Sequence, residues 1–200
     1  FRRQGMSETH LAALAERGNS YRRAVPDLPQ SFDRMVAGDV RNAGDARWRV
    51  VIGRGHSPEH ASLYCPERGI LISGDMLLPR ISTNVSVNAV NPDGNPLRRF
   101  LDSLDAFAEL PEETLVLPSH GLPFRGIGVR IAQLRAHHDA RLAELEAALE
   151  AAPAPMCTAD LVPVLFRREL DIQQRYFAMG EAIAHLNFLW QSGKVERQVD

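Results

Sequence analysis

The sequence is poor in several features that would place it in other protein classes. Its two cysteines, Cys65 and Cys157, lie far apart and form neither a disulfide framework nor a C-x-x-C metal motif. We expect them to be reduced thiols in a cytoplasmic protein. No apolar run approaches the ~20 residues that a membrane span needs, so no membrane contact is expected. The net charge of −2 disfavours a nucleic-acid-binding protein. Lys194 is the single lysine among 23 basic residues, which we interpret as compositional bias.

The remaining composition, with 44% hydrophobic and 24% charged residues in a chain of 200, is that of an ordinary globular protein. The hydrophobic pattern divides the chain into two parts. Residues 1–126 contain short apolar strands between loops and helices, and residues 127–200 are helical throughout. We therefore expect an α/β part over residues 1–126 and a helical subdomain over residues 127–200.

The periodicity also predicts the individual elements. In the first part it predicts helices over residues 7–18, 31–37 and 97–110, and strands over residues 48–53, 61–65, 70–73 and 114–117. In the second part, apolar residues at steps of three and four predict a helix of about seven turns over residues 127–149. Helices over residues 158–168 and 171–191 and a β-wing over residues 193–197 would make this subdomain winged-helix-like. Its acidic residues outnumber its basic ones, which indicates packing against the first part rather than DNA binding.

Three segments of the first part share one arrangement, in which a short apolar strand is followed directly by a possible metal ligand. These ligands are His56 in G-H-S-P-E-H, Asp75 in L-I-S-G-D and His120 in V-L-P-S-H-G. Strand ends on a rigid sheet can hold ligands accurately, and imidazole and carboxylate groups suit Zn²⁺. Each motif alone is common, but the order and setting of the three together are more specific.

These three motifs resemble the later metal motifs of the metallo-β-lactamase superfamily. The stretch M-L-L-P-R-I-S-T-N-V-S-V after Asp75 and the helical tail resemble the β-lactamase-like-2 branch of that superfamily. The resemblance implies part of an αββα sandwich. It also implies that His56 binds one zinc ion, that His120 binds the other, and that Asp75 bridges both, with Asp75 and His120 as the catalytic residues.

The sequence departs from the family at one large point, because the motif H-x-H-x-D-H is absent. The nearest alternative, His137-His138-Asp139, falls in a predicted helix, where adjacent side chains point ~100° apart and cannot bind one ion. The chain therefore resembles the C-terminal part of a metallohydrolase. It carries three of the roughly six or seven ligands that two zinc ions need.

Further candidate residues surround the three ligands. Ser57, His60 and Ser119 are candidates to orient the ligands through hydrogen bonds. Substrate-binding candidates follow Asp75 in the chain, where an arginine would suit a carboxylate or phosphate group; they are Arg80, Ser82 and Asn84. Of the other histidines, we expect His138 to be a hydrogen-bonded core residue and His10, His137 and His185 to have no function.

The leading hypothesis is a hydrolase with two zinc ions. A zinc-activated hydroxide would attack an ester, thioester, lactam or phosphodiester of a small-molecule substrate. Two alternatives stay open: ribonuclease-type processing on the same site, and a catalytically silent chain that lacks the remaining ligands. The exposed apolar face expected for such a chain makes a homo-oligomer a further expectation.

Overall fold

The computed structural model describes residues 1–16, 25 and 27–198. The strands in these residues are β1 (Val40–Ala43), β2 (Ala46–Gly53), β3 (His60–Cys65), β4 (Ile70–Gly74) and β5 (Leu115–Pro118). The helices, after a short 3₁₀ turn at Arg2–Gln4, are α1 (Glu8–Glu16), α2 (Pro96–Ser103), α3 (Asp105–Ala108), α4 (Ile127–Ala151), α5 (Thr158–Leu165) and α6 (Ile172–Gln191).

The five strands form one sheet in the order β1-β2-β3-β4-β5. The first four strands are antiparallel neighbours, whereas β5 runs parallel to β4 after a crossover through α2 and α3. This arrangement brings the carboxyl ends of β4 and β5 to the same edge of the sheet. The residues after these two strands, Asp75 and Ser119-His120, are therefore neighbours.

The two faces of the sheet are buried to different extents. The inner face packs against the helices and contains the fully buried residues Leu71 and Val116, which are cross-strand partners. The outer face contains the cross-strand partners Leu63, Ile72 and Leu117, which are apolar but only half-buried or exposed. Ile72 is 40% exposed. One apolar layer is therefore closed within the described residues, whereas the outer one is only partly covered: Val50 is buried there, but Ile72 is exposed.

The helix predicted over residues 97–110 is two helices, α2 and α3. Its start is as the sequence predicts, since Asn95 caps the amide of Arg98 at 3.0 Å and Pro96 takes the first helical position. The break follows Ser103, whose hydroxyl donates to the Phe100 carbonyl and accepts from the Arg54 amide, both at 3.0 Å. The helix thus ends where it holds the loop that leads to His56.

The close approach of that loop to α2 depends on Gly55. Its φ of +94° is in the left-handed region, and a Cβ there would lie 2.5 Å from the Pro96 carbonyl oxygen. Only glycine meets both conditions. The sequence G-H at residues 55–56 therefore combines a backbone requirement with a possible ligand.

The C-terminal helices share the main hydrophobic core with the sheet and α2. The N-terminal segment packs on them too, with Phe1 edge-on to Tyr176 at 5.4 Å between ring centres. Residues 193–197 form no strand, so the predicted wing is absent from the described residues, and the winged-helix expectation is wrong at this point. The boundary at residues 126 and 127 stays a prediction. None of the helices in the described part of the chain is long and apolar enough to span a membrane.

Two further predictions for the first part are wrong. Residues 31–37 are irregular rather than helical, because Gly38 and Asp39 pair with Val50 of β2 and the side chains before them face solvent instead of a core. Strand β1 was not predicted, since its residues are all exposed and show no apolar alternation. The end of the first helix, predicted at Gly18, lies outside the described residues.

Candidate metal centre

The structure brings the three predicted ligands together around one carboxylate. Nε2 of His56 lies 3.3 Å from Oδ2 of Asp75, and Nε2 of His120 lies 3.5 Å from Oδ1 of the same residue. The expected convergence of these side chains is thus observed. Each carboxylate oxygen faces one histidine, which is one of the arrangements in which a carboxylate is shared between two cations.

The hydrogen bonds of His56 determine which ring nitrogen carries its proton. Nδ1 lies 2.8 Å from the main-chain oxygen of Asn84, and a carbonyl oxygen can only accept. Nδ1 is therefore the donor, and in the neutral ring Nε2 presents its lone pair to Asp75. Two acceptors that face each other at 3.3 Å need a proton or a metal ion between them, and a ring whose Nδ1 is held in this way is typical of a metal ligand. The residues present therefore fit a metal ion.

Asp75 is held by two of the three residues predicted to orient the ligands, Ser119 and His60. Ser119 donates its hydroxyl hydrogen to Oδ1 of Asp75. The amide of Asp75 donates to Nε2 of His60 at 3.2 Å, so His60 supports the main chain at the ligand. Burial lowers the pKa of His60, and the nearby His56 lowers it further. A neutral ring is what this acceptor role requires.

The loop after Asp75 is fixed by residues that the sequence analysis missed. Thr83 donates to the Asp75 carbonyl at 2.6 Å, and Ser73 donates to the Leu77 carbonyl at 2.9 Å. Arg130 of α4 reaches across to donate to the carbonyls of Leu78 at 2.6 Å and Ile81 at 2.8 Å. Arg130 is only 9% exposed, and burial lowers its pKa.

A sequence signal for Arg130 did exist. It lies three residues after Ile127 and four before Leu134, on the apolar stripe of α4. A charged residue on a buried helix face needs polar partners, and here those partners are main-chain carbonyls near the candidate ligand.

Of the remaining candidate residues, only Asn84 forms a hydrogen bond with one of the three ligands in the described residues. Asn84 holds His56 through its main-chain oxygen, while its side-chain Oδ1 accepts from Ser86 at 2.9 Å. Arg80 is exposed, Ser57 and Ser82 are half-buried, and none of their side chains hydrogen-bonds to the three ligands within the described residues. Their roles stay predictions.

The other histidines lie apart from this cluster. His138 and His185 are fully buried, and Nδ1 of His138 lies 3.1 Å from Nε2 of His185. The sequence predicts that His138 is a hydrogen-bonded core residue, and its Nδ1 has such a partner in His185. Its Nε2 is buried and has no hydrogen-bond partner in the described residues. His10 lies 2.9 Å from the Ser7 hydroxyl at the start of α1.

The ligands in the described ranges do not surround a single ion. Within residues 1–16, 25 and 27–198, no group of three or more His, Cys, Asp or Glu side chains is placed to hold one metal ion. The chain instead presents two pairs that share Asp75, one with His56 and one with His120. Since zinc sites in proteins normally use three or four protein ligands, each pair is an incomplete site.

Comparison with known proteins assigns both parts of the chain to the same group. Residues 5–120 match the family described as the metallo-beta-lactamase superfamily, and residues 142–200 match the metallo-beta-lactamase-like C-terminal domain. A beta-lactamase domain protein from Burkholderia ambifaria is 52% identical, with a TM-score of 0.91 over 99% of this chain and 57% of its own. A metallo-beta-lactamase family protein from Thermus thermophilus is 31% identical, with a TM-score of 0.78 over 96% of this chain and 62% of its own.

Two curated relatives are more distant. The probable metallo-hydrolase YqjP of Bacillus subtilis is 26% identical over 71% of this chain and 44% of its own length. The hydroxyacylglutathione hydrolase of Rhodobacter capsulatus is 32% identical over 46% of this chain and 34% of its own length. The chain thus spans half or less of these relatives. The expected α/β fold, part of a metallo-β-lactamase sandwich with a helical C-terminal part, is confirmed by the two solved structures.

Proposed function

This chain belongs to the metallo-beta-lactamase superfamily, and we propose that it supplies three ligands to the two-zinc centre of a hydrolase. In this proposal His56 would hold one zinc ion, His120 would hold the other, and Asp75 would be shared between them. The observation that carries this proposal is the position of Asp75, whose two oxygens each face the Nε2 atom of a different histidine. Within the described residues, we assign these three ligands and no others.

In the proposed mechanism, the protein's own groups hold the reacting centre rigid. When bound, the zinc ions polarise a substrate oxygen and lower the pKa of a water molecule. The Asn84 carbonyl keeps the His56 lone pair directed at the metal position. The Ser119 hydroxyl holds Oδ1 of Asp75, and His60 holds its main chain. Together these contacts fix the separation of the two metal positions.

The proposed substrate is a small molecule with an ester, thioester, lactam or phosphodiester bond. Arg80 is exposed in the loop after Asp75, where it can attract a carboxylate or phosphate group of the substrate. The net charge of −2 makes a nucleic acid a weaker candidate. Both cysteines are free, as is usual in a reducing compartment, and we propose the cytoplasm as the location.

The proposal is tested by hydrolysis in a protein that carries these 200 residues together with further metal ligands. One such protein is a fusion with the part of the Burkholderia ambifaria relative that this chain does not cover. The substrate panel contains a simple ester, a lactam, a phosphodiester, an RNA and a hydroxyacylglutathione.

We expect the zinc-loaded fusion to hydrolyse at least one small molecule of the panel. His56→Ala and His120→Ala should each abolish this activity and leave the circular dichroism spectrum unchanged. His10→Ala is the control, because His10 lies in α1 beside Ser7. Full activity in both ligand variants would overturn the metal assignment, and cleavage of the RNA alone would favour the ribonuclease alternative.

A further inference from the structure

A chain of contacts connects the C-terminal helix α6 to the ring of His56. At one end, the Asn84 main-chain oxygen accepts from Nδ1 of His56 at 2.8 Å. At the other end, the Val87 amide donates to the carbonyl of Gly180, in the middle of α6, at 3.0 Å. Ser86 lies between them and donates to Oδ1 of Asn84 at 2.9 Å. Residues 84–87, which we call the connecting segment, thus touch both the candidate ligand and the helix.

The connecting segment is packed tightly on α6. Val87 is buried in a small apolar cluster with Ile183 and Ala184, one turn along the helix from Gly180. Such a segment cannot move independently of the helix, because protein interiors are close-packed. A change in the surface of α6 should therefore be transmitted to Asn84.

Gly180 lies directly against the connecting segment. A Cβ at this position would lie 2.8 Å from Cβ of Ser86, 2.9 Å from its hydroxyl and 3.2 Å from the Val87 carbonyl oxygen. Glycine in the middle of a helix is unfavourable relative to alanine, so its presence needs a packing reason. The short distances to Ser86 and Val87 supply that reason.

We propose that Gly180 is a positioning residue for the candidate metal ligand His56. By letting the connecting segment lie directly on α6, it places the Asn84 oxygen where it holds the Nδ1 hydrogen of His56. The C-terminal helical part thus orients a side chain at the sheet edge through the connecting segment. The proposal rests on the proposed function only in giving His56 the role of a ligand, and its test reads the His56 ring directly.

The test is histidine-selective ¹⁵N NMR of the metal-free 200-residue chain, in which the two ring nitrogens report which of them carries the proton. The His56 signals are assigned from their loss in His56→Gln. All proteins compared carry Asp75→Ala, so that no carboxylate competes for a hydrogen on Nε2. In this parent protein we expect one His56 tautomer, with the hydrogen on Nδ1. Gly180→Ala should push the connecting segment away and raise the share of the other tautomer roughly three- to tenfold, as expected for loss of one neutral hydrogen bond.

Two further variants separate orientation from general damage. Ser86→Gly removes the two nearest atoms that a Cβ at position 180 would meet and leaves the Val87 carbonyl oxygen at 3.2 Å. Ser86→Gly alone is the reference, because it also removes the Ser86–Asn84 hydrogen bond. Gly180→Ala combined with Ser86→Gly should fold and regain the single tautomer that this reference shows. Ser86→Ala keeps its Cβ and should give no such rescue. The matched control is Gly128→Ala in α4, where a new Cβ would lie 3.0 Å from Oε2 of Glu112, the movable end of a side chain.

Each outcome decides the proposal. A second His56 tautomer in Gly180→Ala that disappears with Ser86→Gly supports it, and Gly128→Ala should leave His56 unchanged. If Gly180→Ala does not fold, the double variant decides, and a folded protein with Nδ1-protonated His56 again supports it. A folded Gly180→Ala with a single unchanged His56 tautomer overturns it, even if the melting temperature falls. Failure of Ser86→Gly to restore the single tautomer overturns it as well. A hydrolysis assay that fails leaves these results untouched, so the two proposals fail separately.

Discussion

Ser119 donates its hydroxyl hydrogen to Oδ1 of Asp75, the oxygen that also faces Nε2 of His120 at 3.5 Å. A serine of the β5 loop thus fixes the carboxylate at the end of β4, and it leaves Oδ2 free to face His56. Since the two oxygens are not interchangeable in this arrangement, the rotation of one carboxylate determines both candidate metal positions.

The first prediction concerns this hydroxyl. Ser119→Ala should weaken zinc binding roughly 10- to 100-fold, as is common when a partner of a ligand is removed, while Ser119→Thr should retain most of the affinity. Zinc competition with a chromogenic chelator measures the change in the fusion with further ligands. Because Ser119 is exposed, Ser119→Ala should change the unfolding free energy of the protein by less than about 0.5 kcal/mol. Equal zinc affinity in Ser119→Ala and the wild type would contradict the assigned contact.

The second prediction concerns Arg130. Arg130→Met leaves the carbonyls of Leu78 and Ile81 without their donor, and we expect a loss of about 2–4 kcal/mol in the free energy of unfolding. Arg135→Met in the same helix is the control, since the Arg135–Asp105 pair is largely exposed and should cost below about 1 kcal/mol. Urea unfolding compares the two variants. Equal losses would mean that Arg130 does not hold the loop.

The third prediction concerns pH and the buried pair His138 and His185. Burial, together with the nearby His185, lowers the pKa of His138 to about 3. Burial also lowers the pKa of His185 to about 4. The hydrogen bond to the Glu181 carbonyl raises the pKa of His185, whereas His137 and Arg141 lower it. Both rings are neutral when folded but take up protons near pH 6.5 when unfolded. Their contribution to stability is therefore complete above pH 6.5 and is lost as the pH falls toward 4.

Glu181 acts in the opposite direction and must be removed from the measurement. Burial raises its pKa to about 7, so its contribution is present below about pH 4.5 and is lost as the pH rises toward 7. In Glu181→Gln we expect the unfolding free energy to be flat from pH 7 to 8 and to fall by about 2 kcal/mol per buried histidine from pH 7 to 5. The ring signals of His138 and His185 should remain those of neutral rings at pH 5. Protonated rings in the folded protein at that pH would contradict this account.

The fourth prediction concerns the outer face of the sheet, where Leu63, Ile72 and Leu117 are only partly buried. Burying such a patch between two copies is favourable, so we expect the 200-residue chain to self-associate as its concentration rises. Ile72→Lys should shift the weight-average mass in analytical ultracentrifugation toward the monomer. Val129→Lys, an exposed apolar position on α4, is the matched control and should not. A wild-type chain that stays monomeric at all concentrations would show that this face does not drive association.

The main ligands could be predicted from the sequence because their signals are local. Short strands end directly before Asp75 and His120, and the parallel pairing of β4 and β5 brings these ends together. The order of the motifs suggests the family, whereas the closeness of the ligands follows from the pairing of these two strands. The supporting residues could not be predicted in the same way. Arg130 and Gly180 act on loops about 50 to 95 positions away, and only tertiary packing reveals such contacts.

The fifth prediction follows from the number of ligands. Asp75 with one histidine gives each ion two protein ligands, whereas stable zinc sites have three or four. We therefore expect the 200-residue chain to retain no stoichiometric zinc after extensive dialysis and to hydrolyse none of the substrate panel. One or two zinc ions retained per chain in metal analysis would mean that other residues complete the sites.

The most direct test is histidine-selective ¹⁵N NMR of the 200-residue chain during addition of zinc. We expect the Nε2 signals of His56 and His120 both to shift as zinc is added, while those of His10 do not. Asp75→Ala should remove both shifts together, because the two histidines share that one carboxylate. Shifts of His56 and His120 that persist in Asp75→Ala, or no shift of either histidine at any zinc concentration, would contradict the claim that Asp75 bridges two metal positions.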